Sequence, residues 1–88
     1  MDKILLSDGR ELPVISFAIA TAGYLYIRVE MTLAQAAEYF SSGTDVIIYE
    51  PLDGPTRRVV GFTEIAYLVN EENCVRVALV RPAEFWEE

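Results

Sequence analysis

The sequence predicts an α+β fold, mainly a small antiparallel β barrel or sandwich with one short helix packed on the sheet. Three observations predict this class: several segments alternate apolar with polar residues, turn residues separate these segments, and one capped amphipathic helix interrupts them. The expected order of elements is β-β-β-α-β-β-β. Because the chain has 88 residues, we expect a single domain over residues 1–88.

The first two predicted strands are separated by a tight turn. KILL predicts a strand, SDGR a turn, and ELPVISFAIA a second, longer strand. Asp8-Gly9 is typical of two-residue hairpin turns, which need positive backbone φ angles. Pro13 cannot donate a ladder hydrogen bond, so we expect it near a sheet edge or at a strand start.

A third strand follows the turn residues TAG. In YLYIRVE, every second residue is aliphatic, which predicts a strand with one face on the core. The residues between them form a face that is wet or meets a partner: Tyr24, Tyr26 and Arg28.

The stretch MTLAQAAEYFSSG predicts the helix. Thr32 can cap its first turn while Gln35 reaches back, the reciprocal capping-box arrangement. An apolar stripe at i, i+3, i+4 and i+7 consists of Leu33, Ala36, Ala37 and Phe40. Gly43 suits a left-handed helix terminus. Because the inward face holds no polar group, we expect the helix to pack on the sheet and to carry no chemistry.

The C-terminal half predicts further strands. DVIIYE predicts a strand, and PLDGP predicts a turn, because proline, aspartate and glycine are typical turn residues. TRRVVGFTEIAYLV is one long strand or two, with a bulge or bend at Gly61. NEEN closes a hairpin into CVRVALVRP, and Pro82 ends the last strand, leaving AEFWEE as a tail.

Composition excludes several classes of function. Seven basic residues against 14 acidic ones give a net charge of −7, which opposes direct nucleic-acid binding. The chain has no histidine, which removes serine–histidine and cysteine–histidine nucleophile systems and ordinary zinc sites. Its single cysteine, Cys74, permits no internal disulfide, and we expect a buried thiol. We therefore expect no enzyme, no cofactor and no metal site.

Residues 12–27 carry no charge, but they are too few for a comfortable membrane span and contain Pro13 and Gly23. A signal peptide ending near ATAG is the alternative. The acidic Asp2, Asp8 and Glu11 oppose it, because such peptides have a basic leader. We expect a cytoplasmic protein that does not contact a membrane.

Exposed aromatic residues are the strongest interaction candidates, because aromatic anchors with arginines nearby dominate protein interfaces. The candidate interface residues are Tyr24, Tyr26, Tyr39, Phe85 and Trp86. The alternative for Phe85-Trp86 is a tail that folds back over an open end of the barrel. Open strand edges are a further reason to expect pairing between copies of the chain.

The charged pairs are weaker candidates. Arg57-Arg58 could capture a phosphate or carboxylate, although a solubilising strand edge is the simpler interpretation. Glu71-Glu72 and Glu87-Glu88 are expected on solvated faces, because a hairpin tip and a tail do not bury carboxylates. Asp8 precedes a turn glycine, so we expect Asp8 to stabilise the turn and not to bind a metal.

Several segments resemble small uncharacterised proteins encoded by tailed phages and prophages of Gram-positive bacteria. The resemblance runs over most of the chain, through DGRELPV, MTLAQAAEYFSS, GFTEI and VRVALVRP. The sequence departs from that pattern at Phe62, where a tyrosine is expected, and at Ser41-Ser42, where a proline or acidic residue is common. The resemblance implies a phage origin and a non-enzymatic role, with no residue roles to transfer.

These observations lead to two hypotheses of function. The first is a tail-associated structural or assembly component of the virion that binds copies of itself or another phage protein. The second is a counter-defence protein in the host cytoplasm. It would be either an acidic inhibitor of a basic host nucleic-acid-binding protein, or an oligomer that sequesters a nucleotide signal with its tyrosines and Arg57 or Arg58.

Overall fold

A computed structural model describes residues 2–20 and 23–81 of the chain as two four-stranded antiparallel sheets and one helix. In chain order the elements are β1 (Lys3–Leu6), β2 (Glu11–Pro13), β3 (Ser16–Ile19), β4 (Tyr24–Val29), α1 (Leu33–Phe40), β5 (Val46–Glu50), β6 (Arg57–Val60), β7 (Glu64–Asn70) and β8 (Val75–Val80). The first sheet has the strand order β2-β1-β5-β6, and the second has the order β3-β4-β8-β7. The α+β class with one short helix is confirmed.

The predicted element order is wrong, and of the predicted barrel or sandwich the closed barrel is wrong. Within residues 2–20 and 23–81, four strands precede the helix and four follow it, and the two sheets do not close on each other. ELPVISFAIA is divided because the chain changes sheets after Pro13. The Val14 N–H donates to the Asp2 carbonyl beside the first sheet at 2.9 Å, and the Ile15 N–H donates to the Arg28 carbonyl in the second at 2.7 Å.

A second crossing between the sheets occurs at Gly61. Its φ of 91° is a left-handed conformation that favours glycine, and it separates β6 in the first sheet from β7 in the second. The predicted bend at this glycine is confirmed, and TRRVVGFTEIAYLV forms two strands. Pro13 ends β2, an edge strand, as expected for a residue that cannot donate to a neighbour.

The two-residue turn predicted at Asp8-Gly9 is wrong. Residues 7–9 form a three-residue loop, because the Leu6 N–H donates to the Arg10 carbonyl at 2.8 Å across it. Within the loop only Gly9 has a positive φ, 95°. Three-residue hairpin loops need a single left-handed residue at their end, so Asp8 keeps an ordinary backbone conformation.

The helix begins where the sequence predicts. Thr32 Oγ1 accepts from the Gln35 N–H at 3.1 Å, and Gln35 Oε1 accepts from the Thr32 N–H at 3.0 Å, which completes the capping box. The predicted stripe is only partly correct. Ala36 and Phe40 are fully buried, but Leu33 is 39% exposed. The helix therefore packs through Ala36 and Phe40, against β7 and β8.

One hydrophobic core lies between the sheets and the helix. It takes Ile4 from β1 and Ile47 from β5 in the first sheet, and the inward residues of β4 and β8 in the second. The predicted alternation of β4 is confirmed, since Leu25 and Ile27 are fully buried while Tyr26 between them is not. Because both sheets contribute to one core, neither can shift without disturbing the other.

Arg10 ties the first hairpin to the C-terminal end of the helix. Its Nη2 donates to the carbonyls of Tyr39 at 2.9 Å and Ser42 at 3.1 Å, groups that the helix itself leaves without partners. Its Nε donates to Asp8 Oδ2 at 2.6 Å, and the guanidinium lies 4.8 Å from the centre of the Tyr39 ring. We call these contacts the Arg10 clamp.

Asp2 joins the start of the chain to the end of β5. Its carboxylate accepts a hydrogen bond from the Tyr49 hydroxyl at 2.6 Å and from the Leu52 N–H at 2.8 Å. The Tyr49 hydrogen bond, followed by that of Leu52, lowers the pKa of Asp2, while the hydrogen bond to Asp2 raises the pKa of Tyr49. Phe17 of β3 stacks on the Tyr49 ring with centroids 4.2 Å apart, so this corner also links the two sheets.

Replacing Tyr49 with phenylalanine should lower stability at neutral pH and matter less in acid. A lowered carboxyl pKa stabilises the folded state above the ordinary aspartate value of 3.8, and that stabilisation is lost as the pH falls through the folded pKa. Urea midpoints measured across this range for both proteins should therefore converge at low pH. Tyr24→Phe, on the second sheet, is the control, and its urea midpoint should differ from that of the original protein by the same amount at every pH. A Tyr49→Phe offset that does not change with pH would contradict this account.

Candidate functional site

The outer face of the second sheet, turned away from the core, carries three tyrosines: Tyr24, Tyr26 and Tyr67, hereafter the tyrosine face. The rings of Tyr24 and Tyr26 stack with centroids 5.9 Å apart and planes inclined by 12°. Tyr26 and Tyr67 flank Ala78 in adjacent strands, and a hydrogen bond between their side chains raises the pKa of Tyr26. The two phenol rings cover Ala78, which is fully buried despite lying on the outer face.

Two arginines lie in the next row of the same face. Strand register places Arg28 of β4 directly opposite Arg76 of β8. Both approach one carboxylate: Arg28 Nε donates to Glu71 Oε1 at 3.0 Å, and Arg76 Nε lies 3.6 Å from Glu71 Oε2. Arg76 Nε is enclosed and has no hydrogen-bond acceptor within residues 2–20 and 23–81, since 3.6 Å is too long for a hydrogen bond. Glu71 therefore accepts a hydrogen bond from Arg28 and forms only a longer ion pair with Arg76.

Cys74 shares the same carboxylate. Its Sγ donates to Glu71 Oε1 at 3.5 Å, and the residue is half-buried rather than fully buried as predicted. Burial, followed by the hydrogen bond to Glu71, raises the pKa of the thiol. A raised pKa disfavours the thiolate, which is the nucleophilic form, and the contact to Glu71 gives Cys74 a part in holding that carboxylate in place.

A trough of about 260 Å³ lies beside the tyrosine face. It is lined by Ser16, Ala18, Tyr26, Arg28 and Arg76. Ser16 faces Arg28 and Ala18 faces Tyr26 across the β3–β4 ladder, so the small side chains of β3 leave room next to long ones. The lining combines two cationic groups, a hydroxyl and an aromatic ring.

The predicted anion-binding residues lie elsewhere. Arg57 and Arg58 are both exposed on β6, an edge strand of the first sheet, where Arg57 is paired with Tyr49. They do not meet the tyrosine face. Arg28 and Arg76 are the arginines that lie beside the tyrosine face. Both occupy polar positions in strands that alternate apolar with polar residues, and this pattern indicates side chains that point away from the core. The sequence could not indicate that β4 and β8 are neighbours, which brings the two arginines together.

The other predicted residues have different surroundings. Tyr39 is half-buried against the core and is held in the Arg10 clamp. Phe85 and Trp86 lie outside the described residues, so their predicted roles stay predictions. The expectation that Glu71 lies on a solvated face is wrong, because the β7–β8 hairpin turns its carboxylate onto Arg28.

Among the described residues the two sheets have four edge strands, and three of these are protected against pairing. β2 is only three residues long and ends in a proline, and β6 carries two exposed arginines. β7 has an irregular register between Ile65 and Tyr67 and contacts the helix. β3, with the sequence SFAI, has neither charge nor proline nor irregular register.

The core is also poorly covered at the β3 edge. Ile19 lies opposite the buried Leu25, which places it on the core side of the sheet, yet it is 42% exposed. Ile15, at the other end of the strand, is 44% exposed. An unprotected strand edge flanked by exposed aliphatic side chains can add a strand from another chain.

No family model, curated protein or solved structure matches this chain. Within the described ranges, no three histidine, cysteine, aspartate or glutamate side chains converge as metal ligands would. The helix of the described part is too short and too polar to cross a membrane, and no other helix is found there.

Proposed function

We propose that this protein is a non-enzymatic interaction module of a phage particle, one that associates with copies of itself or a neighbouring phage protein by adding a strand at β3. The observation that carries the proposal is the contrast between β3 and the three protected edges. The phage setting rests on the resemblance of DGRELPV, MTLAQAAEYFSS, GFTEI and VRVALVRP to small phage proteins.

Physical considerations favour association at this edge. A chain of 88 residues buries only about 60% of its unfolded surface, so additional burial between chains stabilises it substantially. Within the described residues one edge of β3 has no neighbouring strand, so an added strand would pair with its backbone groups there and cover Ile15 and Ile19.

Replacing Ile19 with lysine should abolish association, because a charge on an edge strand opposes pairing with another chain. The matched control is Val60→Lys on β6, since Val60 is 41% exposed and Ile19 is 42% exposed. Native mass spectrometry and sedimentation velocity should show an oligomer for the original protein and for Val60→Lys, and a monomer for Ile19→Lys. Thermal melts establish that both variants are folded.

Two results would contradict the proposal. The first is that the original protein stays monomeric, both alone and when it is mixed with purified phage particles, which would refute strand addition at β3. An Ile19→Lys variant that assembles like the original would place the interface elsewhere. The particle role has its own test: the protein should co-sediment with purified particles through a density gradient, and its absence from them would refute a virion role.

The second candidate function, sequestration of a nucleotide signal, has one observation in its favour. The trough joins a tyrosine ring to two guanidinium groups, a combination suited to a base and a phosphate. Arg28 and Arg76 would fill the role that the sequence suggested for Arg57 or Arg58. The acidic-inhibitor alternative has less support, because the acidic residues are dispersed along the sequence rather than grouped.

A further inference from the structure

We propose that the trough on the second sheet binds an organic phosphate of mononucleotide size, with its phosphate on Arg28 and Arg76 and its planar ring against Tyr26. This inference rests on the second candidate function, which it deepens by naming the ligand class and its contacts, and it is independent of strand addition at β3. It concerns a ligand site within one chain, whereas assembly concerns the β3 edge.

The first support is an imbalance of charge. Arg28 and Arg76 both line the trough, and Glu71 is the carboxylate that approaches the two of them. Glu71 shares one negative charge between the two guanidiniums, and Glu30, which acts on the adjacent Cys74, forms no ion pair with either arginine within residues 2–20 and 23–81. An oxyanion in the trough would add a partner for both arginines, and guanidinium forks match phosphate oxygens well.

The second support is the unequal sharing of Glu71. Oε1 accepts from Arg28 Nε and from the Cys74 thiol, while Arg76 Nε, which is enclosed, remains 3.6 Å from Oε2 and has no acceptor in the part of the chain that the structure describes. The Arg76 side chain is nevertheless 35% exposed, so a ligand would contact its outer guanidinium nitrogens and not Nε. A guanidinium has five N–H donors, and this carboxylate cannot satisfy two such groups and a thiol together. The arrangement holds both arginines in place and leaves donor capacity for a ligand.

The third support is a rigid aromatic wall. Tyr26 stacks on Tyr24 on one side, and on another it stands with Tyr67 on either side of Ala78. A ring already held in place loses little freedom when a ligand stacks on it, which favours binding. Ala18 lies directly opposite Tyr26 and is small, so the space over β3 stays open for a planar group.

In the test, ¹⁵N-labelled protein is titrated with adenosine 5′-monophosphate, and binding is measured from the changes in NMR chemical shifts. Since the trough is shallow, we expect a dissociation constant on the order of 0.1–1 mM. Adenosine and inorganic phosphate should each bind at least tenfold more weakly. Added salt should weaken the binding of the nucleotide, because exposed charges are screened. Shifts should be confined to β3, β4 and β8.

Variants distinguish this site from the other arginines. Arg76→Gln should weaken nucleotide binding at least tenfold. Ala18→Leu should do the same by filling the trough while both arginines remain. Arg57→Gln and Arg58→Gln, on the first sheet, are the matched controls and should bind as the original protein does. Ala18 is exposed on an edge strand, so its variant remains informative even if Arg76→Gln destabilises the fold.

Three outcomes would overturn the proposal. The first is an absence of shifts at millimolar nucleotide. The second is Ala18→Leu binding as tightly as the original protein, which would place the ligand outside the trough. The third is equal affinity for inorganic phosphate and the nucleotide, which would remove the role of Tyr26. None of these outcomes bears on the Ile19→Lys experiment, so failure of the ligand site and failure of strand addition are distinguishable.

Discussion

Replacing Phe40 with alanine should reduce the free energy of unfolding by about 3–5 kcal/mol. Phe40 is fully buried at the end of α1 and belongs to the core shared by both sheets. Truncation removes the aromatic ring from that core and leaves a cavity that β7 and β8 cannot close without losing their own pairing.

The loss is large for a domain of this size, because total stabilities are roughly 5–15 kcal/mol and small domains lie near the lower end. Urea unfolding followed by far-UV circular dichroism should show a strongly lowered midpoint or no folded baseline. Leu33→Ala is the matched control on the same helix, and because Leu33 is 39% exposed we expect a loss below about 1 kcal/mol. Equal losses in the two variants would mean that Phe40 is not the main packing contact of the helix.

Replacing Gly43 with alanine should reduce the free energy of unfolding by about 1–3 kcal/mol, through backbone strain and through displacement of the flexible ends of the Asp8 and Arg10 side chains. Gly43 has a φ of 77°, which L-residues rarely adopt. A Cβ at this position would lie 2.7 Å from Asp8 Oδ2 and 3.2 Å from Arg10 Nη2. The methyl group would therefore displace the carboxylate that holds Arg10, and the Arg10 clamp would open.

Gly9→Ala is the control that separates strain from steric conflict. Gly9 has a φ of 95°, but a Cβ there would meet no atom within 4 Å. We expect Gly9→Ala to lose about 1–2 kcal/mol through strain alone, so the difference between the two variants measures the disruption of the clamp. If both variants unfold at the same urea concentration, the clamp contributes nothing to stability.

Local features of the fold were predictable because their causes lie within a few residues. Thr32 and Gln35, three positions apart, each accept a hydrogen bond from the other's backbone N–H. The alternation of apolar and polar residues in β4 predicts which of its side chains enter the core. The bend at Gly61 follows from the conformations open to glycine. Errors arose where a local pattern had two solutions. Asp8-Gly9 fits a two-residue or a three-residue loop, and ELPVISFAIA fits one strand or two.

The candidate site was predictable only in part, for a different reason. Alternation placed Tyr24, Tyr26 and Arg28 on one outer face, which the structure confirms. The trough, however, depends on the pairing of β4 with β8 and on a hairpin that directs Glu71 back towards Arg28. These contacts join residues more than 40 positions apart (Arg28 and Glu71 are separated by 43), and hydrophobic periodicity carries no information about them.

The distribution of strands between the sheets has a consequence for synthesis on the ribosome. β1, the first strand made, lies inside its sheet between β2 and β5, and β8, the last, lies inside the other between β4 and β7. Nascent β4 and β7 remain unconnected until residues 75–80 leave the exit tunnel and enter between them. The complete second sheet can therefore form only after β8 has emerged, and until then the edges of β4 and β7 that β8 pairs with are exposed to other chains.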